Sequence, residues 1–169
     1  MKPIALDVPY PNTFDMQQDI RSGQIISFAY ATQDGEINAT LQYVYQSVIF
    51  GKIDKEDADT LEGIAVAEMV HVKLLASAML SLGVMPVYTV RPNCNEFYNA
   101  CTVSRACTPQ KMLMDDIQGE LQAIAEYKKM LFVLKNEQVE ALIQRIILDE
   151  KLHLETLKKM LEKYTQSSR

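Results

Sequence analysis

Glycine and proline are scarce in this sequence, six of each in 169 residues, so little in it forbids long unbroken helices. Long uncharged runs are missing too. The longest extends from Leu74 to Val90 and is interrupted by Gly83 and Pro86, which argues against a membrane span. No basic segment leads into an apolar run at the N-terminus, so no secretory signal is read. The three cysteines, Cys94, Cys101 and Cys107, make no Cys-x-x-Cys pair. An odd count without an export signal is expected of a protein in a reducing cytoplasm. Positive charge is in deficit: the net charge is −5 and the pI near 5.1, which argues against nucleic acid as a partner. Histidine is rarest of the reactive residues, with two in the whole chain, His71 and His153.

What is present suits one domain with a proper core, at 48% hydrophobic and 23% charged residues. Residues 1–23 are expected to form an N-terminal arm. Its first part, with Pro3, Pro9 and Pro11, reads as extended, Phe14–Arg21 as a short helical piece, and Ser22-Gly23 as a break. Residues 24–164 are expected to hold four long helices. The first covers about Gln24–Phe50, with Ala29, Glu36, Ala39, Tyr43 and Phe50 on one stripe. The second covers about Lys55–Leu82, N-capped by Asp54, with Leu61, Ile64, Glu68, His71 and Leu75 on one face and Gly83 at its end. The third covers about Pro109–Leu134 after the start signal Thr108-Pro109, with Leu113, Asp116, Glu120, Ala123, Ile124 and Tyr127 together. The fourth covers about Glu137–Tyr164, capped by Asn136, with Leu142, Ile146, Glu150, His153 and Leu157 inward. Residues 165–169 read as a polar tail. Two short connections make antiparallel hairpins. The long aperiodic stretch from Val84 to Cys107 is then a crossover joining two helices that point the same way.

Each histidine sits three residues after a glutamate, Glu68-x-x-His71 and Glu150-x-x-His153, a spacing that puts both side chains on one helix face. Carboxylate beside imidazole suits a transition metal. The hairpins also repeat one another. Gly35-Glu36 precedes Tyr43 by the interval at which Gly119-Glu120 precedes Tyr127, and each hairpin ends in Glu-x-x-His on its return helix. A pseudo-twofold bundle follows, with the shared site on its axis. Counting outward from the two turns puts all six residues at one depth, about 22–27 Å along the helices at about 1.5 Å per residue. Four buried carboxylates are costly when uncompensated. Two divalent cations balance four ionised glutamates.

The set Glu36, Glu68-x-x-His71, Glu120 and Glu150-x-x-His153 resembles the ligands of the ferritin-like di-iron and di-manganese carboxylate proteins. The resemblance covers Ser22 to about Tyr164 and implies an all-α, ferritin-like four-helix bundle with one long crossover between the second and third helices. It implies two iron or two manganese ions, with Glu36 and Glu120 as terminal ligands, Glu68 and Glu150 bridging, and His71 and His153 on one metal each. Tyr43 matches a tyrosine that backs the ligands in rubrerythrins and bacterioferritins. Asp149 matches a position that orients a metal-bound histidine. Plainer readings stand beside these: Tyr43 and Tyr127 as core tyrosines, Asp149 as a solvated charge, Met69 as a packing residue rather than a haem ligand, and Lys158, Lys159, Glu162 and Lys163 as a solvated face.

Three activities fit such a site. One is a rubrerythrin-like peroxidase or oxidase acting on peroxide or dioxygen, which takes electrons from an external donor protein, since no rubredoxin-type Cys-x-x-Cys pairs are present. The second is manganese-catalase-like disproportionation of hydrogen peroxide. The third is ferritin-like iron storage. Ala123 stands where rubrerythrins carry an extra glutamate, and Gly119 where large manganese catalases carry arginine. Only 16 residues follow His153, which argues against a storage cage. Family habit implies a homodimer.

Overall fold

Three of the long helices begin where capping chemistry puts them. Asp54 accepts hydrogen bonds from the backbone N–H groups of Glu56 (3.0 Å) and Asp57 (3.1 Å). Asn136 does the same for Gln138 and Val139, and Pro109 occupies the first turn after Thr108. The structure is a computed structural model that describes residues 2–92 and 94–166. Asn93 of the crossover and residues 167–169 of the predicted tail lie outside the described residues.

The helices are α1 (Ile20–Ile26), α2 (Glu36–Phe50), α3 (Lys55–Ser81), α4 (Pro109–Val133) and α5 (Glu137–Gln166), with short 3-10 turns at Ser27–Ala29 and Ala100–Thr102. Among the described residues there is no strand, only an isolated bridge between Thr89 and Phe97. α2 packs chiefly on α3 and α4 on α5, so the chain is two antiparallel hairpins. The crossover, residues 82–108, connects them, with Gly83 near its start in the left-handed region (φ 89°). This is the four-helix architecture with one long crossover expected from the sequence.

The first predicted helix differs. It does not run unbroken from Gln24 to Phe50, and there is no helix over Phe14–Arg21 with a break at Ser22-Gly23. α1 instead starts at Ile20, where Asp19 caps it by accepting from Ser22 N–H (3.1 Å) and Ser22 O–H (2.5 Å). The break falls at residues 30–35. Thr32 donates to the Phe28 carbonyl (2.8 Å), Gly35 N–H to that of Thr32 (3.2 Å) and Ile37 N–H to that of Tyr30 (3.2 Å). A Cβ at Gly35 would lie 2.8 Å from the Ala29 carbonyl oxygen, so the turn needs glycine for space. Asp34-Gly35 was the sequence signal for it.

Apolar residues gather at both ends of the bundle. One cluster, with Ile26, Leu75, Met79, Leu82, Leu142 and Ile143, lies toward the α4–α5 turn. The other, with Phe50, Leu61, Ile64, Met112, Leu113 and Leu157, lies toward the α2–α3 turn. Each such side chain contributes about 1.5–3 kcal/mol on burial. These two clusters carry a polar layer between them that does not support itself. α3 is long and apolar enough to cross a membrane by length and mean hydropathy, but its apolarity has a simpler use, because it faces helices on several sides. Met69 does not pack inward as expected; it is 54% exposed. Of the three cysteines, all free, Cys101 and Cys107 are exposed.

Candidate metal centre

The polar layer holds Glu36, Glu68, His71, Glu120, Glu150 and His153, each at most 4% exposed. The break before α2 makes Glu36 the first residue of that helix, where the free N–H groups favour a carboxylate. The other five stand in mid-helix on α3, α4 and α5. All six are brought together, as two overlapping groups. Glu36, Glu68, His71 and Glu150 form one, and Glu68, Glu120, Glu150 and His153 the other, with the candidate ligand atoms of each within 4.8 Å of one another. The imidazole centroids are 6.1 Å apart.

Glu68 and Glu150 belong to both groups and divide their oxygens between them. His71 Nδ1 lies 3.3 Å from Glu68 Oε2, 3.1 Å from Glu150 Oε1 and 3.5 Å from Glu36 Oε2. His153 Nδ1 lies 3.0 Å from Glu68 Oε1, 3.7 Å from Glu150 Oε2 and 3.8 Å from Glu120 Oε1. Four of these buried atoms, Glu68 Oε1, Glu120 Oε2, Glu150 Oε1 and His153 Nδ1, make no hydrogen bond. His153 Nδ1 and Glu68 Oε1 lie 3.0 Å apart. Lone pairs converging on a common point in this way fit a shared cation. The buried carboxylates and imidazoles therefore fit a two-metal site.

The electrostatics agree. Burial and then Glu36 push Glu68 above the usual carboxylate range, and burial and then Glu150 do so for Glu120. Burial would pull the imidazoles down, but Glu36, Asp149 and Glu150 outweigh it at His71 and lift it well above its ordinary value. Glu150 and Glu68 lift His153 likewise. Protons on the rings stand in for the positive charge that cations supply.

The two tyrosines cross between hairpins. Tyr43 donates to Glu120 Oε1, and Tyr127 donates to Glu36 Oε1. Each reaches the glutamate of the other hairpin, a pairing the internal repeat foreshadows but does not specify. Burial and the neighbouring carboxylates hold both phenols well above their ordinary range, so they remain donors. Asp149 is fully buried rather than solvated, and its Oδ2 lies 3.2 Å from His71 Nε2.

Sequence reasoning missed Arg145 and Tyr10 as members of this region, and it put Asp116 on the face of Glu120 and Tyr127 without giving it a role. Arg145 pairs with Asp149 Oδ2 at 2.7 Å; its position four residues before an inward aspartate was the available signal. Tyr10 O–H donates to the same oxygen at 2.5 Å. Burial pulls Asp149 upward, but His71, Arg145, Tyr10 and the Leu6 N–H outweigh it and hold it below its usual range. Asp116, one turn before Glu120, accepts from Gln42 and Gln46 at 2.8 Å each, while burial pushes its carboxyl up to about 7.

α2 and α4 barely touch, and a cavity of about 600 Å³ opens between them. It reaches Glu36, Glu68, Glu120 and Glu150 past Ala39, Asp116, Gly119 and Ala123. A Cβ on Gly119 would meet nothing within 4 Å, so this wall is open.

No protein-family model matches the sequence, and no curated protein sequence matches it. Solved structures do. KatB, a manganese catalase from Anabaena, superposes with a TM-score of 0.83 at 17% identity, over 95% of this chain and 80% of that one. Bacterioferritin from Mycobacterium tuberculosis superposes at 0.73 and 19% identity, over 89% and 90%. That of Rhodobacter capsulatus, solved with a metal-free dinuclear site, superposes at 0.71 and 18% identity, over 89% of both chains. At these identities the likeness is one of fold, and by fold the chain is a ferritin-like four-helix bundle.

Proposed function

We propose that the chain is a di-metal oxidoreductase acting on hydrogen peroxide or dioxygen, with iron or manganese held by the six residues and electrons taken from an external donor. The observation that carries it is the division of Glu68 and Glu150 between two groups that each hold one histidine and one further glutamate. When bound, a pair of such ions supplies two-electron exchange with peroxide, which avoids releasing hydroxyl radical.

The protein's own groups do the rest. Tyr43 and Tyr127 hold one oxygen each of Glu120 and Glu36, which leaves the second oxygen of each free to bind metal. Asp149 receives the Nε2–H of His71, so that ring presents Nδ1 inward. Asp116, whose carboxyl burial pushes up to about 7, is placed to hold a proton at the cavity wall. The apolar clusters close the layer above and below, which leaves the cavity between α2 and α4 as its approach.

A second reading, disproportionation of hydrogen peroxide without a donor, draws support from the likeness to KatB over 95% of the chain. Metal analysis of protein purified without added metal, then peroxide assays with and without reductant, separate the two. Donor-dependent peroxide consumption is expected. Oxygen evolution without donor establishes the second reading, and retention of many irons per chain with no turnover points to storage. Absence of bound metal defeats all three.

A further inference from the structure

The two hairpins are not equivalent behind their histidines. In the second, Asp149 stands just before Glu150 and partners His71 across the bundle. The matching residue before Glu68 is Ala67, which has no side-chain acceptor. His153 Nε2 therefore has no carboxylate from that position to match the one behind His71. The N-terminal arm supplies the substitute: the backbone carbonyl of Ile4 lies 2.7 Å from His153 Nε2. A carbonyl can only accept, so Nε2 carries the proton, and when the ring is neutral the free lone pair is on Nδ1, facing the carboxylates.

The arm is anchored to make this contact. Ile4 N–H donates to the Gly63 carbonyl (2.9 Å), and a Cβ on Gly63 would lie 2.8 Å from Ile4 Cγ1, so glycine allows the close approach to α3. Leu6 N–H donates to Asp149 Oδ1 (2.8 Å), which secures the carboxylate behind His71 as well. Arg145 donates to the carbonyls of Val8 (2.9 Å) and Leu6 (2.8 Å), and its guanidinium lies 4.2 Å from the centre of the Tyr10 ring. The hydrogen bonds of this stretch with the bundle end on Gly63, on His153 itself, and on Asp149 and Arg145, which stand behind His71.

The geometry points to residues Ile4–Tyr10 as the positioning segment of the centre, with Ile4 responsible for the His153 half and Leu6 and Tyr10 for the His71 half. This rests on the metal reading above and adds an inequivalence to it. One imidazole is backed by a carboxylate and the other by a neutral carbonyl, so the His71 half is the more basic and the tighter for a divalent cation.

Two measurements test it. In metal-free protein, with two histidines in all, nitrogen-15 NMR resolves both rings, and a slowly exchanging His153 Nε2–H is expected. Deleting residues 2–5 should make it exchange freely and leave His71 unaltered. In titrations with cobalt(II) alone, the deletion should weaken one of two equivalents about tenfold, and Tyr10→Phe should weaken the other, with a changed visible spectrum in each case. Thr13→Ala cuts the arm's bond to Ser77 (2.9 Å), away from either histidine. It should lower the melting temperature while both affinities hold, which separates positioning from mere stability. If the deletion does not fold, Gly63→Ala, which displaces Ile4, carries the same readouts. Wild-type cobalt affinities in the deletion, or a freely exchanging His153 Nε2–H in the parent, overturn the proposal. If the parent binds no cobalt, the metal reading fails, and proton exchange alone decides what the arm does.

Discussion

At the residue scale, Asp116 is the clearest isolated acid. Burial raises its carboxyl to about 7 against an ordinary 3.8. Between those values the folded state binds more protons than the unfolded one, so stability falls as pH rises through that window and levels off above it. Asp116→Asn removes this slope. Melts from pH 4 to pH 8 should show the variant matching the parent near pH 4 and exceeding it by on the order of 4 kcal/mol at pH 8. Equal slopes in the two proteins would refute the assignment. The crossed tyrosines give the opposite sign. Tyr43→Phe and Tyr127→Phe each leave a buried carboxylate oxygen without its donor, and urea titration should show losses of about 1–3 kcal/mol. The six candidate ligands were legible in the sequence because spacing of three and four along a helix is a property of side-chain identity. The partner of His153 was not legible. It is a main-chain carbonyl, present at every position, and only the arm's path singles out Ile4.

At the element scale, α3, α4 and α5 were legible to within two residues because caps and prolines punctuate them. α2 was not. Its inward stripe continues in phase across the interruption, from Ala29 to Glu36 and Ala39, so periodicity sees one helix where the backbone makes a turn. Gly35→Ala tests why the turn is there. The added Cβ meets the Ala29 carbonyl at 2.8 Å, and the backbone must shift. The expected cost is about 1–3 kcal/mol in denaturant unfolding, with weaker metal binding because Glu36 is the next residue. A loss below 0.5 kcal/mol, about that of a surface change, would show that the turn tolerates a side chain.

At the scale of the whole molecule, the ends of the bundle are apolar and its middle is charged, so cohesion and chemistry are assigned to different layers. Cations that bind only the folded state stabilise it by mass action, by about 2.7 kcal/mol at a hundredfold excess over the dissociation constant. Manganese(II) or iron(II) should therefore raise the melting temperature by roughly 5–10 °C, and a chelator should reverse the gain. Glu68→Gln with Glu150→Gln should abolish that response. The crossed tyrosine–glutamate bonds carry one more consequence, for assembly. Neither hairpin holds a matched pair by itself, since the phenol of each is complementary to the acid of the other. A slip of one hairpin along the other by a single helical turn, about 5.4 Å, would unmake both bonds together. The two tyrosines thus act as a lock on register, closing only when the halves of the chain have met in correct alignment.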